Sequence, residues 1–173
     1  MLPRSTNDRM QREAKSGKQS GRTQEIQRLI GRSLRASVDL DGLAEKQIII
    51  DCDVIQADGG TRTASITGGW LALKLCIEKM LKIGIISKNP LKTQVAAISC
   101  GIVNGEVLMD LDYEEDSSAE VDANIIFTRE FELIEVQSTG EEKTFLTQDL
   151  LIMLDMVKNK STEILQAQLN AIK

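Results

Sequence analysis

Gln94-Val-Ala-Ala-Ile-Ser-Cys-Gly-Ile-Val103-Asn104-Gly105-Glu106-Val-Leu-Met-Asp-Leu111 is the stretch from which the fold is read. Asn-Gly is the strongest short hairpin signal, because both central residues of a type I′ turn need positive φ and these two tolerate it. The β-rich runs on either side, residues 94–103 and 106–111, are therefore predicted as paired antiparallel strands. Beyond an acidic stretch, residues 123–128 and 133–137 read as a second strand pair. Thr147 is predicted as an N-cap with Asp149 in the first turn, and Leu150, Leu151, Leu154, Val157, Ile164, Leu165 and Leu169 continue as a long terminal helix.

Toward the amino terminus, residues 48–55 alternate Ile50, Cys52 and Val54 with Asp51 and Asp53, as a half-buried strand does. The run ends at Ala57-Asp58-Gly59-Gly60. A helix then starts near Thr61, continues through Trp70, Leu71, Leu73, Leu75, Ile77 and Met80, and stops at Gly84. Further upstream Ile26, Leu29, Ile30 and Leu34 recur at helical spacing, while Arg28, Arg32 and Arg35 occupy other faces. The order α, β, α, β-hairpin, β-hairpin, α predicts one α+β domain over residues 1–173, with residues 1–21 as a basic arm or loop.

Composition narrows the chemistry. A chain of 173 residues, 42% hydrophobic and 27% charged, has the size and balance of one ordinary soluble core. It contains no histidine, which excludes a Ser-His-Asp or Cys-His catalytic group and any zinc site with histidine ligands. Cys52, Cys76 and Cys100 form no Cys-x-x-Cys, so three buried reduced thiols are expected. No apolar run approaches the roughly 20 residues of a membrane span, and Met1-Leu2-Pro3-Arg4-Ser5 lacks the apolar core of a secretory signal, so a cytoplasmic protein with no membrane partner is expected.

Charge is distributed unevenly. The net charge is −5, yet the first 35 residues carry nine Lys and Arg against three Asp and Glu, and seven of the nine are arginines. Arginine grips phosphate through a planar fork, so this end suits a polyanion, although a basic arm is also commonly just a solvated tail.

Three motifs carry candidate chemistry. Asp58-Gly59-Gly60-Thr61-Arg62-Thr63 joins a predicted strand to a helix start, where free backbone N–H groups, the Thr61 hydroxyl and the Arg62 fork suit a phosphate. It is neither a Walker A loop nor a dinucleotide fingerprint, and an ordinary threonine-capped glycine turn is the alternative. Gly21-Arg22-Thr23 repeats the arrangement at the preceding helix. Between Asp110 and Asp122 lie seven carboxylates with no lysine or arginine among them: Asp110, Asp112, Glu114, Glu115, Asp116, Glu120 and Asp122. Such a cluster either splays into water or holds a cation, and oxygen ligands alone would select Mg²⁺ or Mn²⁺, shared with substrate phosphates. Two phosphate cradles, a divalent site and a basic arm form the inventory for phosphoryl transfer, which needs no histidine.

Met1-Leu2-Pro3-Arg4-Ser5-Thr6, residues 21–32, Asp51-Cys52-Asp53-Val54-Ile55-Gln56-Ala57-Asp58-Gly59-Gly60-Thr61-Arg62-Thr63, Gly101-Ile102-Val103-Asn104-Gly105 and residues 115–122 together resemble the bacterial ribonuclease PH family. The resemblance covers essentially the whole chain. It implies an α+β fold of mixed β-sheets packed with helices around a ribosomal-protein-type βαβ core. It also implies a phosphorolytic 3′ to 5′ exoribonuclease that trims tRNA 3′ ends, transfers the terminal nucleotide to inorganic phosphate and releases a nucleoside diphosphate. By the same resemblance Arg22, Gly60, Thr61 and Arg62 would bind phosphate, and Asp116 and Asp122 would be the catalytic carboxylates and hold the divalent metal. Arg4, Arg9 and Arg12 would contact RNA or serve assembly of a hexameric ring built as a trimer of dimers. Family members have strands ahead of the position matching Met1, so unpaired backbone edges and an incomplete core are expected here. A truncated, non-catalytic RNA-binding or ring-forming subunit of the same fold is the alternative.

Overall fold

Asn104 and Gly105 take φ values of 52° and 80°, both in the left-handed region. In the computed structural model, which describes residues 1–9, 17, 19–141 and 143–172, this turn joins β1 (Val95–Val103) to β2 (Glu106–Met109), with Val103 opposite Glu106 and Cys100 opposite Met109. The second pair is β3 (Val121–Thr128) and β4 (Leu133–Gly140), and β3 also pairs antiparallel with β1. The resulting sheet has the order β2-β1-β3-β4 and is antiparallel throughout.

Among the described residues four α-helices complete the fold: α1 (Gly21–Ala36), α2 (Thr61–Lys82), the short α3 (Tyr113–Ser117) and α4 (Thr147–Asn170). All nine residues of β1 are buried, because helices cover both faces of the sheet. Strand parity sorts the side chains. Val95, Ala97 and Ile126 pack with Leu29, Ile66, Trp70 and Ile77 of α1 and α2. Ala96, Ile98, Cys100, Ile125 and Phe127 pack with Met153, Val157 and Leu165 of α4. Arg32 of α1 is clamped by both carboxylate oxygens of Glu135 on β4, at 2.9 and 2.5 Å, and hydrogen bonding to Glu135 raises its pKa.

The two helical layers meet through a buried amide pair. Gln168 of α4 donates to the carbonyls of Thr67, at 2.7 Å, and Val95, at 2.9 Å, while its own Oε1 accepts from Gln94 at 2.6 Å. Gln94 Nε2 also lies 2.9 Å from the Leu165 carbonyl. Both amide nitrogens and the Gln168 oxygen have partners, which is the condition for burying such groups at little penalty.

Several expectations change. Residues 48–55 form no strand: they pair with no strand among the described residues, and Leu2 N–H donating to the Val54 carbonyl, at 3.0 Å, is one of the bonds holding the segment. The alternation was nonetheless informative, since Ile48 and Ile50 pack against the α1 and α2 cluster while Ile49 and Ile55 face outward. A period of two reports which way side chains point, not whether a neighbouring strand exists. Thr147 is the first residue of α4, not its cap; Leu146 occupies the cap, and Asp149 accepts from its N–H at 2.9 Å. The acidic stretch contains a helix, α3, closed by a capping box between Asp112 and Glu115. Of the three thiols only Cys100 is buried; Cys52 is exposed and Cys76 intermediate.

Two measurements follow. Gln168→Ala removes the donor shared by the Thr67 and Val95 carbonyls and one of the two acceptors of the Gln94 amide, so urea unfolding should show a loss of about 1–3 kcal/mol, against less than about 0.5 kcal/mol for the exposed Gln166→Ala. Burial, helped by Asp110 and Asp122, pushes the Cys100 thiol up to about 12. Iodoacetamide at mildly alkaline pH should therefore label Cys52 in the native protein and reach Cys100 only after unfolding.

Candidate active site

The glycine turn ahead of α2 is shaped by contact from below. Gly60 caps the helix with φ 65°, a left-handed conformation, and the Thr63 hydroxyl donates to its carbonyl at 2.8 Å. Gly59 lies so close to the Leu111 carbonyl and Asp112 backbone that a Cβ would collide with them. Only glycine permits this approach. Asp58 Oδ1 accepts from Gly59 N–H at 2.9 Å and from Tyr113 N–H at 2.6 Å, tying the turn to the start of α3.

Register brings a carboxylate beneath this helix start. Asp122 opposes Gly101 and Asn124 opposes Ser99, so Asp122 falls on the α2 face of the sheet, with Ala97 and Ile126 further along it. There Arg62 Nη2 contacts Asp122 Oδ2 at 2.6 Å, and both side chains are about one-fifth exposed. The other carboxylate oxygen, Oδ1, is buried without a hydrogen-bond partner, as is the Ser99 hydroxyl. Ser99 Oγ faces the turn, 3.2 Å from where a Cβ on Gly60 would stand. Sequence reading passed over Ser99, although its parity with Val95 and Ala97 along β1, which pack toward α2, was the signal that could have placed it on that face.

Asp116 sits on α3 within electrostatic reach of the same group. Burial raises its pKa first, the Asp122 charge raises it further, and Arg62 and Arg22 pull it back down. Arg22 thus acts on the cluster from α1, whose N-cap Ser20 accepts from Thr23 N–H at 3.2 Å. Arg22, Thr23, Thr61, Arg62 and Ser65 line one groove of about 1130 Å³. The two arginine-bearing helix starts, read separately from the sequence, converge.

Arg4 and Arg9 are not among the residues that line the groove. Arg4 and Arg9 are exposed in the amino-terminal segment, where Ser5 accepts from Ala57 N–H at 2.6 Å and holds the segment beside the residues leading to the glycine turn. Arg12 lies outside the described residues. Among the described residues no group of three or more Asp, Glu, Cys or His is gathered as a metal cage. The donor set is instead a carboxylate pair, with one buried oxygen unpartnered. That set fits a hard divalent cation completed by water and substrate phosphate oxygens. No helix among the described residues is long and apolar enough to cross a membrane.

Similarity to known proteins gives the family. Residues 1–77 match the 3′ exoribonuclease family, domain 1, and residues 93–159 match domain 2 of the same family. The chain is 56% identical over 172 residues to ribonuclease PH of Neisseria meningitidis serogroup C, covering 99% of this chain and 71% of that protein. It is 55% identical to ribonuclease PH of Cereibacter sphaeroides, covering 99% and 73%, and 53% identical to that of Maricaulis maris, covering 100% and 73%. The fold also resembles rice Rrp46, with a TM-score of 0.62 at 19% identity over 88% of this chain and 66% of that one. A chain of the Archaeoglobus fulgidus exosome, solved with RNA bound to the active site, gives 0.64 at 18% identity over 86% and 62%. With both domains of the family matched in order and more than half the residues identical to three of its members, this chain belongs to the ribonuclease PH family of 3′ exoribonucleases.

Proposed function

We propose that this chain, as a phosphate-dependent 3′ exoribonuclease, divides the reaction between the two sides of the groove. On one side the α2 amino terminus, with Gly60, Thr61 and Arg62, and the α1 start, with Arg22, hold inorganic phosphate. Free helix N–H groups and two guanidinium forks supply the positive field that a dianion needs. On the other side Asp116 and Asp122 hold a divalent cation, Mg²⁺ or Mn²⁺, which when bound supplies charge stabilisation at the phosphodiester. The observation that carries this reading is the Arg62 to Asp122 contact at 2.6 Å, which joins a phosphate-binding side chain to a carboxylate whose second oxygen has no partner.

The chemistry then needs little from the protein except position. A phosphate oxygen attacks the terminal phosphodiester phosphorus in line, the bond to the penultimate nucleotide's 3′ oxygen breaks, and a nucleoside diphosphate leaves. Arg22 and Arg62 neutralise charge on the attacking phosphate and orient it. Exposed Arg4 and Arg9, with Arg12, contact RNA or a neighbouring subunit. The substrate is the 3′ end of tRNA, and the working assembly is a hexameric ring, a trimer of dimers; the likeness to exosome core chains supports a ring.

Product analysis tests the reading. RNA digestion should require phosphate and release nucleoside diphosphates; monophosphates formed without phosphate would exclude it. Arg62→Ala should lower phosphate-dependent turnover by about 10²–10³-fold, while RNA affinity measured by filter binding falls only a few-fold, because affinity is spread over many cationic contacts. Equal losses of turnover and affinity would contradict the division of roles. Light scattering should give the mass of six copies, and a monomer at working concentration would contradict the ring.

A further inference from the structure

The geometry points to Asp58 as the positioning residue that fixes the phosphate side of the groove against its carboxylate side; this rests on the division of roles just proposed. One oxygen of Asp58 accepts two backbone N–H groups from opposite sides of the site. Gly59 N–H, at 2.9 Å, belongs to the turn that leads into Thr61 and Arg62. Tyr113 N–H, at 2.6 Å and 55 residues away in sequence, is the first residue of α3, the helix that carries Asp116.

The accounting at the α3 start shows why an outside acceptor is needed. The first N–H groups of a helix have no partner within it. In α3 the Asp112 side chain accepts from Glu115 N–H at 2.9 Å, and the Asp112 carbonyl accepts from Asp116 N–H at 2.8 Å. Tyr113 N–H is left to Asp58. A helix of five residues has little internal cohesion, so its placement depends on such bonds.

The same junction is held from the other direction by sterics. Gly59 packs directly on the Leu111 carbonyl and the Asp112 backbone, so the turn and the α3 start share one contact surface. Asp58 closes that surface with hydrogen bonds, which sets the separation of Asp116 from Arg62. Phosphate binding in the ground state uses α2, anchored through buried Ile66 and Trp70, and does not need α3 in register. In-line transfer does need it. Loss of Asp58 should therefore lower kcat and leave the phosphate KM nearly unchanged.

Steady-state phosphorolysis by the full chain, with Mg²⁺, an RNA carrying a free 3′ end and varied phosphate, tests this. Asp58→Ala should lower kcat by about 10- to 100-fold, the scale expected when a reacting group is misplaced by about 1 Å, with KM for phosphate within about twofold. Asp58→Asn keeps a carbonyl oxygen for both N–H groups and should stay within about threefold of wild type. An Asp58→Ala enzyme with kcat within threefold of wild type would overturn the proposal. So would an Asp58→Asn enzyme as impaired as Asp58→Ala, since charge and not hydrogen-bond geometry would then be the operative property. Should Asp58→Ala not fold by circular dichroism, Asp58→Glu replaces it. Its extra methylene keeps the charge but displaces the shared oxygen, so the same fall in kcat is expected and an unchanged kcat is the overturning result. A wild-type chain that releases no nucleoside diphosphate fails the reading beneath, and the proposal with it, before any variant is compared.

Discussion

The contact between Arg62 and Asp122, 2.6 Å long and largely withdrawn from water, is the constraint on which the site depends. It joins the first turn of α2 to the second residue of β3, two elements 60 residues apart in the chain. A pair of this kind contributes little if splayed into solvent and more as surrounding backbone limits its freedom. Here the limiting surroundings are specific. Gly59 presses on the Leu111 carbonyl, Gly60 turns the chain in the left-handed region, and the sheet register sends Asp122 to the α2 face.

The same contact explains the electrostatic balance of the groove. Asp122 has one oxygen neutralised by Arg62 and one without a partner, while Asp116 is raised by burial and by its neighbour. Two carboxylates held together in a partly dry setting are unfavourable in isolation, and arginines from α1 and α2 offset part of that cost. Like charges held close, with cations set opposite, are the arrangement expected where a divalent ion and a phosphate must meet. Preorganisation of this sort is more useful to phosphoryl transfer than any single reactive side chain.

The scaffold behind the groove is built to hold these positions. β1 is buried along its whole length between two helical layers, and the Gln94 and Gln168 amides stitch α4 to β1 and α2 through satisfied hydrogen bonds. The Arg32 and Glu135 fork fastens α1 to the edge strand β4. The start of α1, which brings Arg22, is therefore fixed to the sheet that carries Asp122. Movement of either helix start would have to break contacts far from the groove.

The local rules were legible in the residues. Asn104-Gly105 dictated the hairpin because only a few residue types accept positive φ, and apolar spacing at 3.6 located α1, α2 and α4 because one face of each must be buried. The glycine turn and the acidic cluster were visible as candidates for the same reason: residue chemistry is local. What residues 48–55 pair with, that α3 forms at all, that Arg22 and Arg62 line one groove, and that Asp122 and Asp116 come within their electrostatic reach were decided by tertiary structure. Alternation in a strand states which side chains share a face, but not which other element that face meets. Convergence of residues 94 positions apart, from Arg22 to Asp116, is a property of register and packing, and no local pattern encodes it.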